Sequence, residues 1–326
     1  PRDQGLPGAP LCSGEVGPGS VPHRSVIILS LEGIDRRWAQ QLPAMAKIAE
    51  EGINFENVWA SHLGSAEALA GIYAGAPTFT EPAVYALPQP QFTGLPRDLR
   101  DAGYTTIYLH GGDLSARQQR KFLESVGFES VEDIPPSRIT DAHGVSDPEM
   151  YVQFRNQLQQ VAGQRYLAAF ATLGGRPGPG GLGADYAAAI GRSDQALGEF
   201  YSWYRHRTPT GGETEYERGT ILVIVGHTPY RSTPSVPADF EVPLTIVGRD
   251  LVVPADARLR RGSHADISPT IRHALGIAAG RCEAGTSLLA PQLPDARLQS
   301  VALRADEPTL YVRSAQGFWA RELATG

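Results

Sequence analysis

The chain has 326 residues, 41% of them hydrophobic, which suffices for a substantial core and excludes a wholly disordered polymer. Its net charge of −6 and the absence of any Lys/Arg run exclude nucleic acid as a partner, because such binding needs a basic face to replace counterions. No apolar stretch approaches the roughly 20 residues of a spanning helix, and the longest, Val26–Leu31, has the length of a strand. Residues 1–24 are rich in Pro and Gly with no period of either kind, and they read as a linker. Cys12 and Cys282 are the two cysteines; they make no CxxC metal site, and either stay as separate thiols or form one disulfide in an oxidising compartment.

Beyond the linker, strand-like runs alternate with helical patterns. Val26–Leu31 precedes a helical stretch around Trp38–Glu51, then a strand over Ile53–Ala60 and a helix over Ser65–Ala74. Thr105–Leu109 is followed by a helix around Ala116–Val126 and by the strand Tyr166–Thr172. A long helix over Asp185–Arg205 leads to the strands Ile221–Val225 and Leu244–Val247, and Ala265–Leu275 is the last helix. Continuous apolar strands separated by helices predict a mostly parallel sheet covered on both faces. The fold class is therefore α/β, doubly wound, as one domain over 25–326. From residue 298 the pattern shortens into Ser300–Leu303, Thr309–Val312 and Gly317–Arg321, which predict a small antiparallel sheet.

Several chemistry-bearing side chains fall where an open α/β sheet keeps its site, at the C-terminal ends of strands. Glu32 follows the first strand, His110 ends TTIYLH, and His227 follows TILVIVG. Ser65 opens a predicted helix, where free N–H groups and the dipole favour an anion. Taken singly, Glu32 is a solvated charge and Ser65 an ordinary helix start; together they sketch a metal-assisted phosphoryl-transfer site. His62, His143 and His264 have no partner readable from spacing.

Ser65 with Gly75, in LGSAEALAGIYAGAP, resembles the nucleophile helix of the alkaline phosphatase and sulfatase superfamily. The stretch GYTTIYLHGGDLSARQQRKFLESVGFESVED resembles the corresponding part of lipoteichoic acid synthase and the periplasmic-glucan phosphoglycerol transferases. Gly144–Met150 (GVSDPEM), Tyr186–Phe200 (YAAAIGRSDQALGEF) and Ser263–Thr270 (SHADISPT) resemble three further motifs of that branch, in the same order. The resemblance implies one divalent cation, manganese or another, held by Glu32, Ser65 and His227, with Ser65 as nucleophile. It also implies His110 and Asp113 as substrate contacts, His110 holding a phosphate oxygen or protonating the leaving oxygen; Arg176, read from its charge and not from the resemblance, is a further candidate contact for an anion. Expected partners are an envelope glycan or a phospholipid headgroup, with a protein of a membrane complex as a further candidate. The expected location is extracytoplasmic, with tethering by upstream membrane helices.

The sequence departs from that pattern at the site. Where the family reads G-D-H-G, this chain reads Val225-Gly226-His227-Thr228, so one carboxylate ligand is missing. Where the family has T-x-x-H-x-P, this chain reads Thr172-Leu173-Gly174-Gly175-Arg176-Pro177, with glycine in place of histidine. Hard cations need carboxylate charge to offset their desolvation. Two readings follow: an eroded, metal-poor domain that binds a glycan or headgroup with weak or no catalysis, and an active metal-dependent transferase working through Ser65. A sulfate-ester hydrolase fits less well, because Ser65-Ala66-Glu67-Ala68-Leu69 lacks the Pro and Arg of the sulfatase nucleophile motif. On the sequence alone, Gly226→Asp is expected to raise manganese affinity.

Overall fold

The structure is a computed structural model that describes residues 24–75, 94–114, 119–134, 144–175, 185–206, 212–230, 237–277, 284–293, 300–304, 309–314 and 317–322. The readings made for residues 1–23, for Cys282 and His143, and for the 116–118 end of a helix fall outside these ranges.

Strand β1 (Val26–Leu31) is apolar in five of its six positions and buried throughout. Its side chains alternate between two cores: Val26 and Ile28 belong to one, and Ile27, Leu29 and Leu31 to the other. A strand covered on both faces has no solvated side, which is why its sequence shows no alternation. Each aliphatic side chain so buried contributes about 1.5–3 kcal/mol.

The predicted helix over Trp38–Glu51 is two helices, α1 (Arg36–Ala39) and α2 (Pro43–Glu51). Proline at the first turn of α2 disfavours helical backbone at Leu42, which is extended instead. Asp35 caps α1 by accepting the Trp38 N–H at 2.9 Å. The predicted strand over Ile53–Ala60 also splits, into β2 (Ile53–Phe55) and β3 (Asn57–Trp59), which join different sheets. Helix α3 (Ser65–Ala74) follows, then α4 (Leu95–Asp101), β4 (Thr105–His110), α5 (Gln119–Val126), β5 (Ser130–Asp133), α6 (Asp147–Gln160) and β6 (Tyr166–Ala171). Helix α7 (Asp185–His206) packs on α2 and fixes it through Asp194, which accepts the Ala44 and Met45 N–H groups at 2.9 and 3.0 Å.

Strands β7 (Ile221–Gly226) and β8 (Leu244–Val247) complete a seven-stranded sheet of order β2-β8-β7-β1-β6-β4-β5. It is parallel from β7 to β5, and β8 and β2 add an antiparallel edge. Strand β9 (Arg261–Ser263) pairs with β3, and α8 (Ile267–Leu275) follows it. The predicted C-terminal sheet is present as three antiparallel strands, β10 (Ser300–Arg304), β11 (Thr309–Ser314) and β12 (Gly317–Glu322). It is fastened by Arg313, whose guanidinium lies 4.5 Å from the centre of the Trp59 ring and donates to the Asn57 carbonyl at 2.8 Å.

Candidate functional site

The register of β1 on β7 sets Leu31 beside Gly226, and the His227 N–H donates to the Leu31 carbonyl at 2.7 Å. Glu32 and His227 therefore leave adjacent strands side by side, at the C-terminal edge where the sequence placed them. Glu32 is 6% exposed and His227 is fully buried. Ser65, the first residue of α3, reaches the same point: its hydroxyl lies 3.0 Å from each carboxylate oxygen of Glu32.

His227 bridges the other two. Its Nε2 lies 2.7 Å from the Ser65 carbonyl oxygen, which only accepts, so Nε2 carries a proton. Its Nδ1 faces Glu32 Oε2 at 2.9 Å, yet is buried without an aligned hydrogen bond. A metal-ligating histidine commonly has one ring N–H held by a backbone carbonyl while its other nitrogen is left for the ion, and Nε2 and Nδ1 of His227 are disposed in that way beside Glu32. Glu32, Ser65 and His227 are thus a chemically suitable donor set, although among the described residues no three His, Cys, Asp or Glu side chains gather into a metal cluster.

The residues around these three explain how they are held. Thr172 accepts the Glu32 N–H at 3.0 Å. The Thr228 hydroxyl accepts the Gly33 N–H at 3.2 Å and donates to Glu32 Oε1 at 2.9 Å. Buried Asp147, from the GVSD motif, accepts the Leu173 and Gly174 N–H groups at 2.7 and 3.1 Å and so shapes the loop after β6. His264, fully buried, accepts the Ser61 N–H at 3.3 Å on Nδ1 and donates from Nε2 to the Gly226 carbonyl at 2.8 Å. Burial pushes its pKa down to about 3, so it is neutral and structural. Spacing did not reveal Thr172, Thr228 or the roles of Asp147 and His264; the last two sit in motifs whose resemblance marked them without saying what they do.

The start of α3 already has acid beside it. A Cβ on Gly64 would stand 2.5 Å from Glu67 Oε2, so that carboxylate lies over the helix start. With Glu32 on Ser65, the first turn has two protein anions near its N–H groups. An aromatic group borders the site: Tyr186 donates to the Gly33 carbonyl and meets Tyr230 and Trp38 at centroid distances of 4.5 and 5.6 Å.

The glycines at the departures from the family pattern are tightly enclosed. A Cβ on Gly226 would lie 2.7 Å from Pro243 Cδ, 2.7 Å from Val242 Cβ and 2.8 Å from the Ile34 carbonyl oxygen. A Cβ on Gly175 would lie 1.8 Å from the Glu32 carbonyl oxygen. The simple gain expected of Gly226→Asp therefore meets a steric cost. We expect this substitution to destabilise the fold by about 1–3 kcal/mol, as overpacking does; an unchanged urea midpoint would show that the space opens freely.

Of the other sequence-selected residues, His110 ends β4, is 2% exposed and stacks on Tyr108 at 6.5 Å. Its strand lies two places from β1, about 10 Å across the sheet. Asp113 is exposed on the turn that follows. Arg176 falls outside the described residues.

The sulfatase family profile matches residues 29–277. Phosphoglycerol transferase I of Xanthomonas euvesicatoria pv. vesicatoria (strain 85-10) is 27% identical over 349 residues, covering 93% of this chain and 47% of that protein. The chain thus spans about half the length of the curated relatives it matches. Among solved structures, a Vibrio parahaemolyticus protein in the alkaline phosphatase superfamily superposes with a TM-score of 0.75 at 18% identity, covering 98% of this chain and 87% of that one. The lipoteichoic acid synthase LtaP from Listeria monocytogenes gives 0.72 at 18% identity, with coverage of 93% and 86%. With the profile spanning most of its length and the parallel sheet in place, the chain belongs to the sulfatase family.

Proposed function

We propose that this chain is an extracytoplasmic sulfatase-fold domain, related to the phosphoglycerol and phosphoethanolamine transferases, whose metal site has eroded. In this reading it binds an envelope glycan or a phospholipid headgroup with little or no turnover. The carrying observation is the enclosure of Gly226 and Gly175, where backbone and neighbouring side chains occupy the space a ligand or substrate-contacting side chain would need. The aromatic group of Trp38, Tyr186 and Tyr230 supports a sugar-bearing ligand, since binding clefts combine flat apolar surfaces with a few fixed polar groups.

The second reading, an active transferase, draws on the contact of Ser65 with both oxygens of Glu32. Glu32, Ser65 and His227 would hold the cation, which when bound supplies Lewis-acid polarisation and a lowered hydroxyl pKa. The Ser65 oxygen would attack the headgroup phosphorus, the lipid oxygen leaving as an alcohol with the proton, and a glycan hydroxyl would then displace Ser65 from the phosphorus and return a proton to it, with His110 at a phosphate oxygen.

A chromogenic phosphodiester assayed with manganese or zinc separates the readings. We expect wild type and Ser65→Ala to be indistinguishable from background. A metal-dependent rate that Ser65→Ala lowers by the roughly 100-fold or more typical of losing a nucleophile would establish the transferase and end the eroded-site reading. Titration with glycan fragments and with phosphoglycerol, followed by thermal shift, then identifies which ligand is bound.

A further inference from the structure

The residue after His227 is threonine, and it makes a contact that no glycine there could make. The Gly33 N–H occupies the acceptor side of the Thr228 hydroxyl at 3.2 Å, and this aims the hydroxyl proton at Glu32 Oε1, 2.9 Å away. Thr228 is itself 5% exposed, so water does not compete freely for either bond.

An ionised carboxylate offers about four acceptor sites. In this chain Oε1 faces the Thr228 and Ser65 hydroxyls, and Oε2 faces the Ser65 hydroxyl and His227 Nδ1. Of these groups the Thr228 and Ser65 hydroxyls each bring one proton to the carboxylate, whereas His227 Nδ1, opposite the protonated Nε2, brings none. A divalent cation, which needs lone pairs on the same oxygens, competes with these two hydroxyl protons for them. Ser65 and His227 are themselves candidate ligands and would turn toward the ion. Thr228 is the one whose contact opposes it.

We propose that the Thr228 hydroxyl is a positioning group that locks Glu32 onto Ser65 and His227 and excludes divalent cations, a protein donor standing where a metal bond would form. This rests on the eroded-site reading and names the residue that maintains it. The lock is distinct from the missing carboxylate at Gly226: one withholds a ligand, the other occupies the ligand that remains.

The test is manganese binding by the intact chain, read by electron paramagnetic resonance of free Mn2+ and by calorimetry, in wild type, Thr228→Ser, Thr228→Val and Thr228→Ala. Loss of a hydrogen bond to a charged group is worth about 1.5–3 kcal/mol, so Thr228→Val should bind manganese roughly tenfold or more tightly than wild type. Thr228→Ser keeps the hydroxyl and should match wild type. Thr228→Val preserves side-chain volume, and if it does not fold, Thr228→Ala supplies the same arm with a smaller side chain. Weak binding by every variant would overturn the lock while leaving the eroded-site reading intact. Tight stoichiometric binding by wild type would overturn both, and equal gains in Thr228→Ser and Thr228→Val would show that the hydroxyl is not the agent.

Discussion

Gly175→His, the substitution that restores the family's residue, is expected to cost more than about 3 kcal/mol of stability, at the upper end of overpacking effects. The reason is backbone against backbone. The Cβ would sit 1.8 Å from the Glu32 carbonyl oxygen and 2.7 Å from its carbon, and neither atom belongs to a side chain that could rotate away. Gly33 closes the same contact from the other side, with φ of +71° and a hypothetical Cβ 2.2 Å from the Gly175 oxygen. For a chain of this size the loss corresponds to a fall in melting midpoint of roughly 4 °C or more. Gly175→Ala should show most of the effect, because the first carbon causes it. If Gly175→His melted with wild type, the loop after β6 would not lie against Glu32, and the steric argument for an eroded site would fall with it.

His264→Ala is expected to be the second severe change, at about 3–5 kcal/mol. It strands the buried Ser61 N–H and Gly226 carbonyl, each worth about 1–3 kcal/mol unpaired, and leaves a cavity. The same residue gives the wild type a pH dependence whose sign is fixed. Burial holds the folded-state pKa at about 3 against an ordinary 6.5, so between these values the unfolded chain binds a proton that the folded chain refuses. The contribution of His264 is fully present above pH 6.5 and is lost progressively as pH falls toward 3, at up to about 1.4 kcal/mol per unit. Urea unfolding at a series of pH values, in wild type and in His264→Gln, isolates this component. Equal slopes in the two proteins would mean that His264 is not held neutral.

How far the sequence could be read follows the physics of each segment. Strands β1, β6 and β7 were legible because burial on both faces leaves an uninterrupted apolar run. Strand β5 was not, since only Val131 of its four residues is buried and its sequence SVED is polar. The break between β2 and β3 was hidden because a period of two carries no information about which sheet a strand joins. Helix α6 was legible in principle, with Met150, Phe154 and Leu158 on one buried stripe, but the sequence reading marks only the motif at its start. At the site, Glu32, Ser65 and His227 could be named from strand ends and a helix start, and the structure places them in contact. What spacing could not supply was the state of that contact. The Thr228 hydrogen bonds and the enclosure of Gly175 and Gly226 depend on backbone paths that meet across separations such as 195 residues between Gly33 and Thr228.

The fastening of β11 to β3 also constrains the order in which the molecule can be assembled. Arg313 reaches the Asn57 carbonyl across 256 residues of chain, and Tyr311 and Phe318 complete the packing on Trp59 and Phe240. Strand β3 is the segment that runs directly into Ser61 and Ser65. A ribosome therefore has to deliver about 250 further residues before that segment receives its outer cover, and contacts of such long range form late. Until then Trp59 is an exposed aromatic on an unfinished strand, a surface that a nascent chain must keep from neighbours. The outer cover of Trp59, next to the segment that leads to Ser65, is in this sense posted to the end of synthesis.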